Sequence, residues 1–144
     1  MPPVSEEITV HGRTFQLTID GPDGLRRFSA IMTDVATGRP LTRNPVRGRS
    51  AADARDRALE VMHNLLGIER FYDQVLAVAA QLAPGAAVDL TEDAQAIHAE
   101  VSGTWELGVP LAVARDDVTD PEADPIVLRE RIEVHFRTHL RRVG

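Results

Sequence analysis

The sequence predicts an α+β fold: an antiparallel N-terminal sheet of three to four strands, followed by three to four helices packed on one face. Three observations predict it. Apolar and polar residues alternate with a period of two through much of the first third of the chain. From Ser50 onward apolar residues recur mainly at helical spacing. Clusters of Gly, Pro and Asp punctuate the segments between. With 144 residues, no internal repeat and no low-complexity block, the chain is expected to form a single α+β domain, 1–144, around one core.

Ile8 and Val10, then Phe15, Leu17 and Ile19, alternate with polar neighbours on either side of His11-Gly12. A two-residue loop there sets Val10 opposite Arg13 and Ile8 opposite Phe15, with the apolar side chains of both strands on one side. Asp20-Gly21-Pro22-Asp23-Gly24 has the composition of a reversing turn. Arg26 to Val35 is the third strand, with Phe28, Ala30 and Met32 on one face and Ile31 and Val35 on the other, a two-sided apolar pattern that places it centrally. After a turn at Ala36-Thr37-Gly38-Arg39, Pro40 and Pro45 bracket a short strand, Leu41 to Arg43. Proline cannot complete a ladder, so this strand belongs at an edge.

Ser50-Ala51-Ala52-Asp53 is a helix start signal, a shorter-armed relative of the capping box. The helix after it carries Ala54, Ala58, Val61, Met62, Leu65 and Leu66 in one stripe, and Gly67 is expected to stop it. Glu69 to Ala83 predicts a second helix, apolar over so much of its circumference that burial is expected, and Pro84-Gly85 ends it. Between Thr91 and Leu107 two periods compete. Ala94, Ile97, His98 and Val101 fit helical spacing, whereas Ile97, Ala99, Val101, Trp105 and Leu107 alternate as in a strand. The expectation is helix to about Val101 and extended chain beyond it. Arg115 to Asp124, acidic and interrupted by Pro121, reads as an exposed loop. A last helix is expected from about Ile126 to Arg142, with Leu128, Ile132, Phe136, Leu140 and Val143 on one side.

Composition narrows the chemistry. The absence of cysteine removes disulfides, thiolate nucleophiles and cysteine-ligated zinc. All sixteen basic residues are arginine, which removes lysine Schiff-base chemistry and a Walker-type phosphate loop. Gly-x-Ser-x-Gly, His-Glu-x-x-His and Gly-x-Gly-x-x-Gly are absent, so no catalytic residue is assigned and no cofactor is expected. No run approaches the ~20 apolar residues of a membrane span. Met1 to Val10 lacks the basic start and apolar run of a signal peptide, and the cytoplasm is the expected compartment, with no membrane role. The net charge of -6 repels polyanions at long range, so any contact with nucleic acid must be local.

Two clusters carry candidate chemistry. His135 and His139, one helical turn apart, could direct two imidazoles at one metal ion, although a transition-metal site normally needs a third protein ligand. Arg39, Arg43, Arg47 and Arg49, preceded by Arg26 and Arg27, make Arg13 to Arg49 a basic surface. Its guanidinium forks suit phosphate or carboxylate. Their alternative partners are the protein's own acids, Asp116, Asp117, Asp120, Glu122 and Asp124. Arg55 projects into the apolar arc of its helix, where it either snorkels or pairs with Glu69 or Asp73.

Three functional readings follow. The first is a small binding or adaptor module, acidic overall, that uses a sheet edge or the C-terminal helix to contact a protein partner or form a homodimer. Val127 and Val134 would offer the apolar contact on the outer face of the last helix. The second is an anion or nucleic-acid binder using Arg13 to Arg49. The third is a small metal-dependent enzyme centred on His135 and His139.

Overall fold

A computed structural model describes residues 3–143. The chain divides into two compact units, Met1–Leu66 and Gly67–Gly144. Where one core was expected, buried apolar side chains form two clusters.

In the first unit, β1 (Val4–Val10), β2 (Arg13–Asp20), β3 (Phe28–Asp34) and β4 (Val46–Gly48) form an antiparallel sheet in the order β1-β2-β3-β4. Ile8 lies opposite Phe15 and Val10 opposite Arg13, the register that the alternation requires. His11 and Gly12 form the two-residue loop, both at positive φ (51° and 79°). Phe15 and Leu17 from β2 and Ala30 and Met32 from β3 point to one face. There they cluster with Ala54, Ala58, Met62 and Leu66 of helix α1 (Ala51–Leu82). Burying each large side chain of this group contributes about 1.5–3 kcal/mol. β3 lies between β2 and β4, the central position its two-sided apolar pattern predicts, and on the opposite face Ile31 and Val35 are 42% and 54% exposed.

The fourth strand begins later than the prolines suggested. Pro40 makes an isolated bridge to Thr33, and Leu41 donates its N–H to the Met32 carbonyl at 2.8 Å. The Thr42 hydroxyl then donates to the Asn44 carbonyl at 2.7 Å, curling the backbone away from a ladder. Pairing resumes after Pro45 with Val46–Gly48, so the edge strand is β4 and not Leu41 to Arg43.

Helix α1 starts as its sequence signals. The Asp53 N–H donates to Ser50 Oγ at 3.0 Å, and the Arg49 N–H donates to Asp53 Oδ2 at 2.9 Å, so side chains satisfy donors at the helix start. It does not stop at Gly67. The two expected helices are one of 32 residues. Gly67 serves close packing instead, because a Cβ there would lie 2.7 Å from the Val118 carbonyl oxygen.

In the second unit, the later part of α1 contributes Ile68, Phe71, Val75, Val78 and Ala79 to the other cluster. Against them stands an antiparallel sheet of β5 (Ala87–Glu92), β6 (Ala96–Ser102) and β8 (Leu111–Ala114), ordered β5-β6-β8. The strand period therefore prevails over the helical one between Thr91 and Val101. Ile97, Ala99 and Val101 are all buried on one side of β6, an arrangement reached only at a period of two. Asp93 shapes the turn between β5 and β6. Asp93 Oδ1 accepts the N–H groups of Gln95 and Ala96, each at 2.8 Å, and Asp93 Oδ2 lies 3.0 Å from His98 Nε2. The backbone donors, with His98, lower the Asp93 pKa to about 2.

Arg115 to Asp124 is not wholly loop, since it opens with a short helix α2 (Arg115–Thr119) that buries Val118. Asp124 accepts the Ile126 N–H at 2.9 Å and caps α3 (Pro125–His139), which buries Leu128, Ile132 and Phe136 as its stripe demands. α3 ends at His139, short of Arg142. Leu140–Arg142 forms β9, paired with β7 (Trp105–Leu107) in a two-stranded sheet, so Leu140 is half-buried through a strand and Val143 is exposed. The described residues thus hold three helices, two of them long. That replaces the expected three to four helices on one sheet face, because residues read as helix after Thr91 build a second sheet.

Gly67→Ala tests the packing reading. Alanine favours a helix interior by about 1 kcal/mol, but the forced shift of the Val118 backbone costs more, about 1–3 kcal/mol. A lower urea midpoint, followed by fluorescence of Trp105, is the expected outcome, whereas a helix merely tolerating its glycine would be stabilised. The Asp93 turn predicts a pH dependence. A depressed carboxylate pKa stabilises fully above the ordinary value of 3.8 and loses that contribution as pH falls through about 2. The stability gap between wild type and Asp93→Ala should therefore be widest near neutrality and narrow across that acid range.

Candidate functional site

α3 and the free edge of β8 build a concavity in the second unit. Along α3, Val127, Glu130, Arg131, Val134 and Thr138 recur at helical spacing on the side away from Leu128, Ile132 and Phe136. With Ala112 of β8 they line a groove of about 470 Å³, and Val127 and Val134 are 51% and 61% exposed within it.

The polarity of the β8 edge follows from its pairing. The Arg115 N–H donates to the Gln95 carbonyl at 2.9 Å. In an antiparallel ladder hydrogen-bonded pairs alternate with non-bonded ones, so the pairs facing β6 are Val113 with Ile97 and Leu111 with Ala99. Ala112 sits opposite His98 at a non-bonded position, and both its N–H and its C=O point out of the sheet. β8 is an end strand of the sheet, so these two groups have no ladder partner.

The electrostatics of the groove are mixed in sign. Arg131 Nη1 lies 3.3 Å from Asp117 Oδ2, and Glu133, on the neighbouring face, receives Arg129 at 3.0 Å and Arg137 at 3.8 Å. Glu130 makes no ion pair among the described residues. His135 and His139 border the same groove with ring centroids 4.5 Å apart. The structure thus brings the two histidines together, but His135 Nε2 is 2.7 Å from the Val109 carbonyl, a contact in which that nitrogen carries the proton and donates. Among the described residues no group of three or more His, Asp or Glu side chains is placed to hold a metal ion. His98 is occupied with Asp93.

The arginines lie in the first unit. Arg47 and Arg49 share a cavity with Arg27 and Arg57, whereas Arg39 and Arg43 are exposed on the connection from β3 to β4 and do not line it. Arg47 Nη1 lies 3.7 Å from Asp23 Oδ2. Arg55 pairs with neither Glu69 nor Asp73. Its Nε lies 2.5 Å from Glu6 Oε1 of β1, which lowers the Glu6 pKa and raises that of Arg55. Of the five downstream acids considered as partners for the arginine run, Asp117 takes Arg131 instead.

Comparison of the chain with protein-family models, with curated proteins and with solved structures finds no match. The site therefore rests on its own geometry. Sequence reasoning had found the α3 valines but missed the strand edge beside them. Its signal was the short alternation Leu111-Ala112-Val113-Ala114 after Pro110, two residues buried and two exposed.

The histidine geometry predicts a weak metal response. Zinc titrated into chelator-treated protein should give no tight one-to-one complex, because a ligand role for His135 Nε2 would cost its bond to Val109. Calorimetry checks this, and a stoichiometric complex abolished by His139→Ala would establish the pair as ligands.

Proposed function

We propose that this protein is a small binding module that works as a homodimer, joined through β8 and the outer face of α3. The observation that carries the reading is the outward N–H and C=O of Ala112 beside the exposed Val127 and Val134. A strand that offers donor and acceptor on one residue is self-complementary. Two copies of β8 set antiparallel about a two-fold axis at Ala112 exchange two hydrogen bonds and extend the three-stranded sheet to six strands.

The groove supports the same occupant. Val127 and Val134 meet their symmetry mates, removing apolar area from water, and Glu130 and Arg131 offer both signs of charge, as an isologous contact needs. The binding role would then belong to the dimer, whose interface covers the open β8 edge beside the exposed valines of α3.

Light scattering coupled to size exclusion should give twice the 15.8 kDa chain mass at micromolar concentration. Val134→Glu and Ala112→Pro are each expected to weaken the dimer by about tenfold or more, equivalent to ~1.4 kcal/mol. The proline removes only an N–H that points away from β6, so folding of the unit should survive. A wild-type mass of one chain, or a dimer indifferent to both substitutions, overturns the proposal.

A further inference from the structure

The geometry points to a second site, independent of the dimer: the cavity lined by Arg27, Arg47, Arg49 and Arg57 binds a phosphate group. Its volume is about 270 Å³. The four arginines are brought together from three stretches of the sequence. Arg27 immediately precedes β3, Arg47 is in β4, Arg49 precedes α1 and Arg57 lies two turns into it. Gly48 holds them together. It is buried against the start of α1, where an added Cβ would lie 2.7 Å from Ala54 Cα and 2.9 Å from the Asp53 carbonyl carbon. Only glycine lets β4 come this close, and the contact fixes the backbone on both sides of Gly48, from which Arg47 and Arg49 extend.

Charge selects the ligand class. Two carboxylates touch the cluster: Asp23 lies 3.7 Å from Arg47, and Asp53 lies 3.3 Å from Arg57. Hydrogen bonds from the backbone of Arg27 and Arg49 are the largest influences lowering the pKa of Asp23 and Asp53 respectively, so both acids are ionised and already occupied. Among the described residues no ion pair involves the guanidinium of Arg27 or Arg49. Four cations against two anions leave a local surplus of two positive charges in a chain whose net charge is -6. A phosphate dianion neutralises that surplus, and its tetrahedral oxygens engage more than two guanidinium forks at once. A carboxylate brings half the charge and two coplanar oxygens, enough for one fork.

The contacts come from side chains. The cap of α1 already engages the Asp53 N–H with Ser50 Oγ and the Arg49 N–H with Asp53, so these backbone donors are not free for a ligand. The site therefore depends on the arginines individually, and on Arg27 and Arg49 most, since Asp23 and Asp53 direct their ion pairs to Arg47 and Arg57 and reach Arg27 and Arg49 only through the longer-range attraction of charge.

Inorganic phosphate titrated by calorimetry at low ionic strength is the direct probe. Saturable binding is expected, weakened roughly tenfold or more by Arg27→Ala or Arg49→Ala, each of which removes charge-assisted hydrogen bonds. Arg39→Ala, outside the cavity, should leave binding unchanged. A fluorescein-labelled single-stranded oligonucleotide, followed by anisotropy, separates the sources of the group. Binding that inorganic phosphate displaces and Arg49→Ala abolishes identifies a nucleic-acid backbone, and phosphate binding without oligonucleotide binding identifies a free phosphate or phosphomonoester. Failure to see saturable phosphate binding, or an Arg39→Ala loss equal to that of Arg49→Ala, would refute the site in favour of diffuse attraction.

Discussion

Burial of the apolar residues of α1 is the constraint on which the rest depends. One helix of 32 residues supplies Ala54, Ala58, Met62 and Leu66 to one cluster and Ile68, Phe71, Val75, Val78 and Ala79 to the other. A helix that is apolar on one stripe needs one wall to cover it. This helix carries apolar residues for two clusters, and each is met by an antiparallel sheet with short connections. In the first unit small residues, Ala54 and Ala58, share one buried cluster with the bulky Phe15 and Met32. Glycine completes the fit at two points, where Gly48 and Gly67 admit backbone that any side chain would displace.

Arginine does different work in the two units. In the second unit most guanidinium groups are spent on neighbouring carboxylates: Arg129 and Arg137 on Glu133, Arg131 on Asp117, Arg115 on Glu92, and Arg141 on Glu106. Exposed pairs of this sort add about 0–1 kcal/mol each, so they shape the surface potential more than the stability. In the first unit Arg13 and Arg55 are held by Asp34 and Glu6, whereas the cavity beside α1 gathers more guanidinium than carboxylate. Candidate recognition thus falls where pairing is incomplete. At the β8 edge the same principle holds for the backbone, with Ala112 in place of arginine.

The N-terminal sheet was legible because period-two alternation and turn chemistry are local. Ile8, Val10, Phe15 and Leu17 fix a register on their own once His11-Gly12 closes the loop, since a slip by one residue would turn every apolar side chain to water. The cap at Ser50, the buried stripe of α3 and the pairing of the two histidines were legible for the same reason. The arginine cavity was half legible: Arg27, Arg47 and Arg49 were in the expected basic segment, but Arg57 joins them through helix docking while Arg39 and Arg43 stay outside, which no spacing along the chain records.

By itself the sequence determined the α+β class, the antiparallel N-terminal sheet, the first hairpin register and the last helix, because each follows from side-chain period and backbone chemistry over a few neighbouring residues. The tertiary structure decided what depends on partners far along the chain. Gly67 continues a helix because the Val118 backbone packs where its Cβ would be. Residues 96–102 form a strand because β5 and β8 lie on either side to take their hydrogen bonds and bury Ile97, Ala99 and Val101 together. Leu140 leaves the helix because β7 offers it a ladder. In each case local propensity allowed two outcomes, and the free energy of burying apolar area and satisfying backbone donors against a distant segment chose between them.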